Sequence, residues 1–119
     1  FTLGKVKYKK RFVVKKGHNI LAVNSEDILY FFSENKTTWL MHKQGKKYHL
    51  ELTLEQLLEK IDPANFFRIN RKYILAFSSI QNITAYSGNR LKVNLKHAVE
   101  EEVLVSRERV GTFKQWLDQ

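Results

Sequence analysis

The chain has 119 residues, the size of one ordinary domain, and carries 21 Lys and Arg against 12 Asp and Glu, a formal charge of +9. It contains no cysteine, which excludes a disulfide scaffold, a thiolate metal centre and a cysteine nucleophile. Hydrophobic residues make up 43% with a single Pro, so the composition is not that of a disordered tail, and no apolar run approaches the ~20 residues of a membrane span.

Short β-like runs recur along the chain. Residues 11–15 are β-branched and aromatic, and Gly17-His18-Asn19 reads as a turn. Residues 20–23 and 28–32 are apolar strands. The link Asn24-Ser25-Glu26-Asp27 reads as one helical turn capped by Asn24 or Ser25. Glu34-Asn35-Lys36 is a hairpin turn before a strand at 37–42, and Gln44-Gly45-Lys46 is the next turn. Tyr48, Leu50 and Leu52 alternate with His49 and Glu51, the pattern of a half-buried strand. Thr53 and Gln56 form a capping box, and Leu54, Leu57, Leu58 and Ile61 then make one buried helical stripe that Asp62-Pro63 ends. Residues 66–69 are apolar, residues 70–73 carry two cations and should lie outside the deep core, and Ile74 and Leu75 resume the apolar run. Residues 80–86 and 90–96 flank the hairpin signal Ser87-Gly88-Asn89. Residues 100–105 read as the last strand. Ser106 is placed to cap a final helix with Val110, Phe113, Trp116 and Leu117 on its inner face. Tight turns between successive strands mean antiparallel pairing, and no repeated βαβ unit occurs.

The charge is uneven. Residues 1–24 hold Lys5, Lys7, Lys9, Lys10, Arg11, Lys15 and Lys16 and no acid. Further cations group at Arg68, Arg71 and Lys72 and at Arg107, Arg109 and Lys114, while acids gather at Glu100, Glu101 and Glu102. Such a balance favours a polyanionic partner through counterion release. Catalytic chemistry is not indicated. The four His match no metal-ligand spacing, though His42 and His49 could meet across a hairpin; they read as solvated. The glycines are isolated and cradle no phosphate, and Ser78 and Ser79 have no evident base. No enzyme, metal or cofactor is expected. Position 1 is Phe and no signal peptide is visible, which points to a segment of a longer protein.

The segment Phe66-Phe67-Arg68-Ile69-Asn70-Arg71-Lys72-Tyr73-Ile74-Leu75 resembles the signature of LytTR DNA-binding domains, which reads phenylalanine, x, arginine, isoleucine, histidine, arginine, serine, tyrosine and then aliphatics. Upstream, Asp27-Ile28-Leu29-Tyr30-Phe31 is similar to the family's early core strand, and Thr53-Leu54 with Leu57 and Leu58 to its internal helix. Ile80 and Ile83 resemble the following strand, and Val105-Ser106-Arg107 the closing valine-serine-arginine. Asn70 stands where histidine is common, Lys72 for serine, Ala76 for asparagine and His97 for a turn glycine.

The resemblance implies a mainly β, elongated fold of small, mostly antiparallel sheets with two short helices. It divides the chain into a linker or N-terminal extension over residues 1–9 and a DNA-binding domain over residues 10–119. It implies the cytoplasmic output domain of a bacterial two-component response regulator in a phosphorelay, joined to an N-terminal receiver domain missing from this chain. Such domains bind direct repeats in double-stranded promoter DNA by loops that enter successive major grooves, and two half-sites imply a dimer on DNA. No membrane partner is expected. The alternative is a basic all-β module that binds RNA, an acidic protein or an anionic membrane surface without base readout.

Three segments then become candidate DNA contacts. Lys36 and Thr38 lie in the first hairpin turn and strand start. Asn70, Arg71 and Lys72 interrupt an apolar run; Arg suits a guanine edge, Asn an adenine edge, and Lys72 a phosphate. Ser106, Arg107 and Arg109 sit at a helix start whose free N–H groups suit phosphate. Ser87-Gly88-Asn89-Arg90 is a weaker fourth candidate.

Overall fold

The structure is a computed structural model and describes residues 7–97 and 99–119. The strands are β1 (Arg11–Lys16), β2 (Asn19–Asn24), β3 (Ile28–Glu34), β4 (Thr37–His42), β5 (Lys47–Leu50), β6 (Phe66–Arg68), β7 (Tyr73–Ala76), β8 (Ile80–Tyr86), β9 (Arg90–Leu95) and β10 (Leu104–Val105). The helices are α1 (Leu54–Leu58) and α2 (Val110–Leu117), and single 3-10 turns lie at Ser25–Asp27, Phe77–Ser79 and Arg107–Arg109. One sheet has the order β2-β1-β5-β4-β3-β7-β6 and the other β10-β9-β8. Every pairing is antiparallel, as the tight turns predict.

Strand β3 explains the architecture. Ile28, Leu29, Tyr30, Phe31 and Phe32 are all buried, which an unbroken apolar strand requires when both sheet faces are covered. Phe31 lies opposite Leu40 and Ile74 and joins the core formed with Phe12, Leu54, Leu57, Ile61 and Phe66. Tyr30 and Phe32 point to the other face, where Tyr73, Leu75, Val93, Val105, Phe113 and Trp116 form a second core under the small sheet and α2. Strand β1 meets β5 at one register pair, Lys15 with His49. The Lys9 amide donates to the Lys60 carbonyl (2.8 Å) and the Ser25 amide to that of Lys10 (2.8 Å). The β1–β2 hairpin thus folds over the first core, with Phe12 edge-on to Phe31 at 5.3 Å.

Several local expectations need correction. The capping box forms, but α1 ends at Leu58, and Leu58 is 42% exposed; Leu54 and Leu57 alone carry the helix's buried stripe, while Ile61 is buried from the turn beyond it. The strand expected at 48–52 stops at Leu50. The last strand is only Leu104–Val105, because the Glu100–Glu102 stretch lies outside the ladder and its acids turn to tyrosine hydroxyls. Tyr73 is buried although two cations precede it, since it opens β7 opposite Phe32. His42 and His49 stay apart: His49 packs on Trp39, while His42 packs on Tyr48 and accepts from the Gln44 amide. The single turn at Ser25–Asp27 forms without a side-chain cap. Ser106 precedes a 3-10 turn that it does not cap, because its hydroxyl is directed to Ile69.

Candidate nucleic-acid interface

Four connections are drawn together by hydrogen bonds and contacts. The β3–β4 turn is Asn35-Lys36, with φ of 51° and 63°. Two left-handed residues in a two-residue loop give the backbone twist that a right-twisted hairpin needs. Lys36 therefore stands exposed at the tip of the turn. Thr38 is 8% exposed, in the row of β4 shared with Leu40, so it lies under the turn and away from its surface. The Ser33 amide donates to the Lys72 carbonyl (2.9 Å), which fixes this hairpin beside the β6–β7 connection.

In that connection Asn70 works from the inside. Its Oδ1 accepts from the amides of Lys72 (2.7 Å) and Tyr73 (2.8 Å), and its Nδ2 donates to the Leu104 carbonyl (2.7 Å). A bidentate adenine contact by Asn70 would have to break these bonds. Arg68 completes the frame. Its Nε donates to the Asn70 carbonyl (3.0 Å), one Nη to that of Arg71 (2.9 Å), and the other pairs with Glu55 at 3.3 Å. In the sequence Arg68 stands out only as a member of a cation group and of the signature segment; its place directly before the loop was the available signal. Arg71 is left exposed at the crest. Lys72 is half-buried, with its ammonium 2.6 Å from Glu101 Oε1 and over the Tyr73 ring at 5.6 Å. The Tyr73 hydroxyl donates to the same carboxylate oxygen. Lys72 first and Tyr73 second hold the Glu101 carboxyl below the usual carboxylate range. Burial, then Glu101, pushes the Tyr73 phenol far above its ordinary value.

The third connection is tied to the second. The Ser106 amide donates to the Ile69 carbonyl (3.0 Å), and Arg109 reaches that of Arg68 at 3.5 Å. Ser106 itself is half-buried and Arg107 exposed. The Glu108 carboxyl is held below its usual range first by its own backbone N–H, with a smaller contribution from the charges of Arg109 and Arg71. The β8–β9 turn joins through Arg107, whose guanidinium lies against Gly88: a Cβ built there would come 3.1 Å from Nη2. Gly88 has φ +72°, so the turn favours glycine for its conformation, and a Cβ there would push the Arg107 guanidinium aside. Arg90 donates to the Ser87 carbonyl (3.1 Å) and lies over the Tyr86 ring. The loops therefore present Lys36, Arg71, Lys72, Arg107 and Arg109 on one connected frame. Among the described residues no group of three His, Asp or Glu could hold a metal ion, and no helix is long and apolar enough to cross a membrane.

Comparisons with known proteins bear on the family and the fold. The model of the LytTr DNA-binding domain family matches residues 18–118. The chain is 27% identical over 100 residues to the transcriptional regulatory protein YpdB of Escherichia coli K12, covering 84% of this chain and 40% of that protein. It is 27% identical over 113 residues to an uncharacterized response regulatory protein of Vibrio cholerae, covering 92% of this chain and 42% of the relative. The chain thus spans about two fifths of the curated relatives' length. A solved LytTr DNA-binding domain from Bacillus cereus superposes with a TM-score of 0.83 at 17% identity, covering 93% of this chain and 99% of that one. That likeness is one of fold.

Proposed function

The chain belongs to the LytTR DNA-binding domain family, and from that premise we propose how it reads DNA and what it serves. The domain binds duplex DNA with sequence preference through its clustered loops. Arg71 and Arg107 contact base edges in the major groove, while Lys36, Lys72 and Arg109 hold phosphates. Arg is suited to the guanine edge because its planar fork donates twice. The observation that carries the reading is the mutual bonding of the three loops, since side chains that must report a base need a rigid mount. Asn70, Ser106 and Thr38 act beneath the surface: Asn70 and Ser106 shape the loops, and Thr38 supports the first hairpin.

Within this reading the loops enter successive major grooves, about 34 Å apart along one face of the duplex. Direct repeats and a pair of bound copies would follow. Regulation of transcription, within a response regulator whose receiver domain precedes residue 10, is supported by the names and greater lengths of the relatives. Residues 1–9 would then be linker; of these, 1–6 lie outside the described residues. Residues 10–119 would be the domain.

Alanine at Arg71 or Arg107 should cost about 1–3 kcal/mol of discrimination between a preferred duplex and a scrambled one. Alanine at Lys9, Lys10 and Arg11 should weaken both duplexes alike. Loss of all preference from the N-terminal changes alone, with Arg71 and Arg107 variants unaffected, would overturn the loop reading in favour of a basic module without base readout.

A further inference from the structure

We propose that Glu101 is an internal competitor for DNA phosphate: its carboxylate occupies Lys72, and duplex binding must displace it. This rests on the reading of Lys72 as a phosphate contact. Glu101 comes from the β9–β10 connection, not from the β6–β7 loop it closes on. Its Oε1 lies 2.6 Å from Lys72 Nζ and also accepts from the Tyr73 hydroxyl. These are the contacts that a phosphate oxygen would make with the same ammonium and a neighbouring hydroxyl. A second tyrosine repeats the arrangement one residue on: Tyr86 donates to Glu102 Oε2 from the β8–β9 hairpin. The acidic stretch is therefore pinned at both Glu101 and Glu102, beside cations of the candidate interface.

The pair is not deeply buried. The side chains of Lys72 and Glu101 are 35% and 47% exposed, so water and a phosphodiester can reach them. An ion pair so exposed contributes little to stability and is exchangeable. The Lys72 carbonyl is fixed by the Ser33 amide and the loop by Asn70, so the backbone stays in place when the ammonium changes partner. Glu101 would then lower affinity for every duplex, because each must displace the carboxylate before Lys72 meets phosphate.

The test uses a fluorescent mixed-sequence duplex of about 30 base pairs titrated at several salt concentrations, because the phosphate contribution needs no recognised site. Glu101→Gln keeps a hydrogen-bond acceptor for Tyr73 and removes the charge. It should bind roughly 3- to 10-fold tighter at each salt concentration, because a phosphate displaces a neutral amide from Lys72 more readily than a carboxylate. The gain should vanish in Lys72→Ala, and Glu100→Gln should lack it. Equal gains from Glu100→Gln and Glu101→Gln would overturn the proposal in favour of a general charge effect. Unchanged or weaker binding by Glu101→Gln, with Lys72→Ala still weakened, would overturn the competition and leave the phosphate contact standing. Wild-type binding by Lys72→Ala would overturn the phosphate reading itself.

Discussion

Lys36 carries a measurable cost. Its φ of 63° is left-handed, where a residue with a Cβ pays about 1–2 kcal/mol. Glycine there would relieve that strain and delete the cation at the tip. Lys36→Gly should therefore raise thermal stability, by about 1 kcal/mol, while weakening duplex binding. Melting curves and duplex titration on the same preparation check both halves; a variant that melts lower, or binds as before, contradicts the role given to Lys36. Asn70 and Arg71 are adjacent and should behave in opposite ways. Asn70→Ala leaves the amides of Lys72 and Tyr73 and the Leu104 carbonyl without their partner, a loss of about 1–3 kcal/mol. Arg71→Ala on the exposed crest should change stability by less than about 0.5 kcal/mol yet reduce base preference. Urea denaturation of the two variants separates a framing residue from a reading one.

At the scale of elements, the hairpins and the capped helix were legible because their signals are local. Thr53 and Gln56 bond each other as a capping box must, and the turns at Gly17, Asn35-Lys36 and Ser87-Gly88-Asn89 fall where short-range chemistry puts them. Misreadings arose where tertiary contacts decide. Glu100 to Glu102 alternate with nothing that a single sequence displays, and their tyrosine partners come from β7 and β8. Asn70 suggested an adenine contact by residue type, but its acceptor and a donor are taken by a loop and by β10, 34 residues away. The contact of Arg107 with Gly88 was equally hidden, since it joins two connections distant in sequence. It yields a prediction for the β8–β9 turn as a unit. Gly88→Ala should lower stability by about 1–2 kcal/mol through its positive φ and displace the Arg107 guanidinium. Its altered duplex preference should disappear in an Arg107→Ala background. A Gly88→Ala effect on preference of the same size with and without Arg107 would show that the turn acts separately.

For the whole molecule, the mainly β antiparallel fold with two short helices could be read from the chain because β-strand rhythm, turn residues and the order of the signature segments agree. The partition into two cores could not. It depends on β3 being covered on both faces, and a continuous apolar run does not say what covers it. That partition matters for function. The first core holds the β1–β2 hairpin and α1, and the second holds β7, the small sheet and α2 against the same strands that carry the loops. The loops are therefore rooted in two packed layers, and a formal charge of +9 favours a polyanionic partner at long range. The most direct test of base reading by these loops is selection from a random duplex pool at fixed near-physiological salt, run in parallel for the unaltered chain and for Arg71→Ala with Arg107→Ala. The account predicts an enriched motif, repeated at about one helical turn, that the double variant fails to enrich. Retention of the full motif by the double variant, or weak binding with no motif from either protein, would contradict it.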